Sequence, residues 1–114
     1  MLRIEKTKEE NRDILHLIGE VDASNSVLLD QSIQKVVVQG TSFLLIDGKE
    51  LGYISSAGLG VFMSYLDDFS ERGVRFAIFG LNDQVGEVFK ILGLDRLISI
   101  VPDKSSAIAS QHES

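Results

Sequence analysis

The chain has 114 residues, enough for one domain around one core, with 44% apolar and 25% charged residues. No apolar run reaches the roughly 18–20 residues that span a bilayer, the charged start MLRIEKTKEE does not read as a secretory signal, and without cysteine there is neither a disulfide framework nor thiol chemistry. With 17 acidic residues against 11 basic ones the net charge is −6, which argues against nucleic acid as a direct partner and for a solvated surface or a partner with positive patches; a cytoplasmic protein without membrane contact is expected.

Leu2 and Ile4 alternate with Arg3 and Glu5, predicting a short strand over residues 1–6. The polar stretch KTKEENRD reads as a turn or loop, and ILHLIGEV at 14–21 as a second strand, antiparallel to the first because the connection is short. DASNS then offers several N-caps for a helix over 27–38, whose Leu29, Ile33 and Val36 form one stripe and which stops near Gly40. FLLID at 43–47 is a short, nearly uniform apolar run, as in a strand covered on both faces. Leu59, Phe62, Leu66 and Phe69 mark a helix from about Ser56 to Ser70, ended by ERG. VRFAIF is the next strand. Asn82 caps a helix with Val85, Val88, Phe89 and Leu92 on one face, stopped at Gly93 with Leu94 packing back. LISIV is a last strand, and Pro102-Asp103 starts a short final helix. The order β-β-α-β-α-β-α-β-α implies parallel pairing with right-handed crossovers and an antiparallel first strand at the edge. One domain over 1–110 is expected, with a frayed tail at 111–114.

Residues 53–60, YISSAGLG, set two adjacent hydroxyls where a strand hands over to a helix. Either Ser55 or Ser56 suits the N-cap, where a serine oxygen accepts from a backbone N–H and contributes about 1 kcal/mol. One cap accounts for one serine. The other reading is modification: a helix N-terminus tolerates a phosphate on its unpaired N–H groups, and the phosphate adds about −1.5 to −2 charges. Gly58 and Gly60 either keep the surface low for another protein's active site or pack the helix closely on the strand.

Catalysis by a serine has little support. A nucleophile elbow needs glycine two residues to each side, and Ser56 has Ile54 and Gly58 there. No base is at hand, because His16 reads as an ordinary half-buried or edge residue and His112 lies in the tail. GLGVFM carries two glycines of a dinucleotide fingerprint, no phosphate-loop lysine pattern is present, and two distant histidines do not make a metal site. No catalytic residue, metal or cofactor is expected.

Three segments resemble the STAS domain of bacterial anti-sigma factor antagonists: GEVD at 19–22, LLIDGKELGYISSAGLGVF at 44–62, and VRFAIFGLNDQVGEVFKILGLDRLISI from 74 onward. The resemblance covers nearly the full length. It implies an α/β fold of successive βα units wound as a superhelix, with a small mixed sheet of four to five strands and about four helices. It also implies a role: binding an anti-sigma factor that is a serine kinase, so that a sigma factor is released. Phosphorylation on the first serine of a DSSG motif ends the binding, and a PP2C-type phosphatase restores it. In this chain SSAG at 55–58 takes the place of DSSG, so the implied phosphoacceptor is Ser56, with Ser55 as competitor where relatives carry aspartate. Asp22, Ser55, Ser56, Ala57, Gly58 and Gly60 make up the implied partner surface of a monomer or weak dimer. Two alternatives are a STAS-type scaffold that binds partners without phosphorylation and a small nucleotide-binding module or enzyme, which would need a phosphate loop or an acid–base pair.

Overall fold

The computed structural model describes residues 1–111, with the side chains of Ser110 and Gln111 left aside. Five strands form one sheet in the order β1 (Leu2–Glu9), β2 (Arg12–Val21), β3 (Phe43–Ile54), β4 (Arg75–Phe79) and β5 (Ser99–Val101). β1 runs antiparallel to β2 and all other pairs are parallel. Four α-helices accompany them among the described residues: α1 (Ser26–Val38), α2 (Ser56–Arg72), α3 (Asp83–Ile91) and α4 (Lys104–Gln111). The fold is the mixed α/β arrangement anticipated above. The expected frayed tail falls, from residue 112 onward, outside the described residues, and so does His112.

Sheet order equals chain order, so each crossover steps the same way. Right-handed crossovers that never reverse put their helices on one face. Accordingly α1, α2 and α3 bury Leu29, Ile33, Phe62, Phe69, Val85 and Phe89 in one cluster with Leu15, Leu17, Leu44 and Ile46 of the sheet. Among the described residues the other face carries α4 alone, whose Ala107 and Ile108 pack with Ile14, Phe43, Leu45, Ala77 and Phe79. The strand order never reverses, so the sheet has no switch-point crevice, the usual small-ligand site of open α/β sheets.

Three strands are longer than expected. β1 and β2 continue through KTKEENRD to the pair Glu9↔Arg12 and turn at Glu10-Asn11, with Glu10 at φ 55°. The outer half of β1 covers no core and therefore lacks apolar alternation. It is held by the ladder and by ion pairs, Lys6 to the buried Asp13 at 3.6 Å and Lys104 to Glu9 at 2.9 Å. β3 does not stop at Asp47 but continues to Ile54. There it pairs with β2 alone, because β4 ends opposite Asp47. Register shifts between His16 and Ile18 and between Gly19 and Glu20 break the two-residue period, so DGKELGY reads as a polar loop although it is strand. The final strand is shorter than LISIV: a 3₁₀ turn takes Leu94–Arg96, and Ile98 is buried before β5 begins.

The helix stops lie where glycine was read to end them. Gly73 closes α2 at φ 70° and Gly93 follows α3 at φ 74°, both in the left-handed region that glycine adopts without strain. No helix among the described residues is long and apolar enough to cross a membrane.

Candidate functional site

The site forms where β2 and β3 end side by side. Val21 pairs with Ile54, and the Ser55 N–H donates to the Val21 carbonyl at 2.8 Å. That bond holds the start of α2 against the loop leaving β2. Gly58 makes the close approach possible. A Cβ there would stand 2.6 Å from Val21 Cγ1 and 2.8 Å from Ile54 Cγ1, and the residue is buried. Gly58 is thus a packing residue, and its expected place on the partner surface is corrected. Gly60 differs: it is exposed, and a Cβ would meet nothing within 4 Å. It leaves the outer face of the first turns bare. That face runs through the exposed Ser56, Gly60, Met63, Ser64 and Asp67, one stripe at helical spacing.

The two serines are not equivalent. Ser55 occupies the N-cap position of α2, with φ −88° and ψ 172°, and Ser56 is the first helical residue. The Ser55 hydroxyl makes no cap hydrogen bond. Its oxygen is buried and has no partner among the described residues. The expected cap is therefore present in backbone shape and absent in side-chain chemistry. Ser56 is exposed and Ala57 is half-buried. Asn82 at the head of α3 shows the working version: its Oδ1 accepts from the Val85 N–H at 2.8 Å, and its Nδ2 donates to the Leu51 carbonyl at 3.3 Å.

Asp22 sits in the adjoining loop, and its carboxylate organises it. Oδ1 accepts from the Ser24 N–H at 2.9 Å, the Ser24 hydroxyl at 2.6 Å and the Asn25 N–H at 3.2 Å. Asn25 answers by accepting from the Asp22 N–H at 2.8 Å and donating to the Glu20 carbonyl at 3.0 Å. The Ser24 hydroxyl, opposed by partial desolvation and helped by the two backbone N–H groups, holds the Asp22 carboxyl below its ordinary value. A negative charge is thus fixed on the loop beside the α2 N-terminus.

His16 is half-buried, five residues down β2 from Val21, which is about 16 Å at the usual strand rise. Nδ1 lies 2.7 Å from Asp47 Oδ2 and Nε2 2.8 Å from Thr7 Oγ1. A carboxylate only accepts, so Nδ1 donates to Asp47. This row stitches β1, β2 and β3 together, away from Ser56. It was invisible in the sequence because its members are neighbours only across strands. Among the described residues no group of three His, Cys, Asp or Glu side chains could hold a metal ion.

Strand order and site geometry define a domain that presents a helix terminus and two loops at one end of its sheet, in place of an enclosed pocket. The chain belongs to the STAS domain family, whose pattern matches residues 3–107. It is 32% identical over 95 residues, 82% of this chain and 83% of the relative, to the anti-sigma-B factor antagonist of Listeria monocytogenes. Its fold resembles an anti-sigma factor antagonist from Mycobacterium paratuberculosis, with TM-score 0.89 at 18% identity, covering 96% of this chain and 93% of that one. It also resembles the phosphorylated form of the Bacillus cell fate determinant SpoIIAA, with TM-score 0.70 at 17% identity, covering 96% of this chain and 98% of that one.

Proposed function

We propose that this chain is an anti-sigma factor antagonist. It binds an anti-sigma factor serine kinase, frees a sigma factor, and is switched off by phosphorylation at Ser56 and reset by a PP2C-type phosphatase. The observation that carries this reading is the contrast between two adjacent hydroxyls, one exposed at Ser56 and one sealed at Ser55. Only Ser56 offers its oxygen to a visiting active site. The bare Gly60 one turn on and the Asp22 loop alongside leave room for that visitor. The name of the Listeria relative and the phosphorylated state of the Bacillus one support the same assignment.

The switch is local charge. A phosphate on the first residue of α2 meets helix N–H groups and so is compatible with the fold. It adds about −1.5 to −2 charges to a surface that already holds Asp22. Any acidic group of the partner facing it is then opposed by several kcal/mol. About 3 kcal/mol weakens binding more than 100-fold, enough to release the partner without refolding either protein.

Calorimetric titration with the cognate anti-sigma factor tests this. Ser56→Ala binds like the wild type and Ser56→Asp folds but binds more than about 100-fold more weakly. Equal affinity of the two variants contradicts the charge switch.

A further inference from the structure

Among the described residues, β3 has no strand on its β4 side beyond Asp47. The space is bounded by α3, and an open cleft remains between Gly52, Tyr53 and Ile54 of the strand and Gln84, Val85 and Val88 of the helix. Its lining is mostly apolar. Ile54 and Val85 are buried below it, and Val88 is partly buried. Tyr53 flanks it with 51% of its surface exposed, a large apolar side chain left in water two residues before Ser55. Two exposed acidic residues adjoin this apolar spot, Glu87 on the cleft wall and Glu20 directly across the ladder from Tyr53, on a chain of net charge −6.

We propose that this cleft is the anchor point of the anti-sigma factor, taking an apolar side chain carried on a basic segment of that partner. The inference rests on the antagonist reading above and adds to it a second contact with its own chemistry. Chain continuity argues for one shared surface, because Tyr53 and Ser56 are both exposed and only three residues apart. Exposed tyrosines beside small apolar pockets are the residues that dominate interfaces, because they bury area with few rotatable bonds. The acidic rim selects the sign of the partner segment and speeds encounter. This division of labour separates affinity from switching, with Tyr53 supplying dwell time and Ser56 supplying control.

The experiment measures binding kinetics of the full chain to the cognate anti-sigma factor on an immobilised surface. Tyr53→Ser weakens binding by about 10-fold or more, mainly through faster dissociation. Glu87→Lys slows association at low salt, and the difference fades as salt rises. Leu97→Ser, an exposed apolar residue near the start of β4 at the opposite end of the sheet, stays within about twofold of the wild type. Tyr53 and Glu87 are both exposed, so these variants fold, and circular dichroism verifies it. If Tyr53→Ser and Glu87→Lys bind like the wild type while Ser56→Asp has lost binding, the cleft is not the anchor and the antagonist reading stands. If the wild type fails to bind any anti-sigma factor kinase of its source, the antagonist reading itself falls. Concentration-dependent self-association abolished by Tyr53→Ser assigns the cleft to a second copy of the chain and overturns the proposal.

Discussion

The Ser55 N–H donates to the Val21 carbonyl at 2.8 Å, and through this bond two loops separated by thirty-odd residues become one surface. Directly above it, Gly58 fits against the same Val21 and against Ile54. The site is therefore built on the rigid end of the sheet, and its exposed members are positioned by buried ones.

The two glycines of α2 predict opposite outcomes. Gly58→Ala drives a methyl into the stiff, fully buried Val21 and is destabilising by about 1–3 kcal/mol. Gly60→Ala places its methyl in open space and stabilises the helix by about 0.5–1 kcal/mol. Urea unfolding midpoints distinguish the two, and a midpoint for Gly58→Ala at or above the wild type removes the packing role.

A second contrast concerns caps. Asn82→Ala deletes an oxygen that accepts from the Val85 N–H and is destabilising by about 0.5–2 kcal/mol. Ser55→Ala deletes a buried oxygen with no partner and changes stability by less than about 0.5 kcal/mol, or raises it. Thermal unfolding of both variants checks this, and an Ser55→Ala loss as large as that of Asn82→Ala means the serine does cap α2.

Most of the architecture was legible before any coordinates. Glycine and asparagine at helix ends act through local backbone geometry, so Gly73, Asn82 and Gly93 announced their roles directly. The run FLLID is buried on both faces and reads so. What stayed hidden depends on partners distant in sequence. The far half of β3 is held by β2 through two register shifts, and its glycines and charges look like a loop. Thr7, His16 and Asp47 meet only across three strands. At the site, the sequence shows the serine pair but not which oxygen is buried, because burial follows from tertiary packing.

The Tyr65 hydroxyl of α2 donates to Asp30 Oδ1 of α1 at 2.6 Å, with Gln34 Oε1 at 3.1 Å. Desolvation first, and then the Asp30 bond and charge, push the Tyr65 hydroxyl above its ordinary value near 10. The folded state keeps this proton where the unfolded chain has lost it. The contribution is thus complete below pH about 10 and fades as pH rises beyond that. Tyr65→Phe is less stable at neutral pH by about 0.5–1.5 kcal/mol, and its stability falls less steeply than the wild type's between pH 9 and about 11. Urea titrations at several alkaline pH values check the slope; parallel curves contradict this role of the Tyr65 hydroxyl.

The most direct measurement is the position of the phosphate. Incubation with the cognate anti-sigma factor kinase and ATP, followed by peptide mass analysis and a binding assay on the modified protein, reads site and consequence together. The account predicts a single phosphate on Ser56, none on Ser55, none on Ser56→Ala, and loss of kinase binding in the modified chain. A phosphate on Ser55, or a chain phosphorylated at Ser56 that still binds as tightly as before, contradicts it.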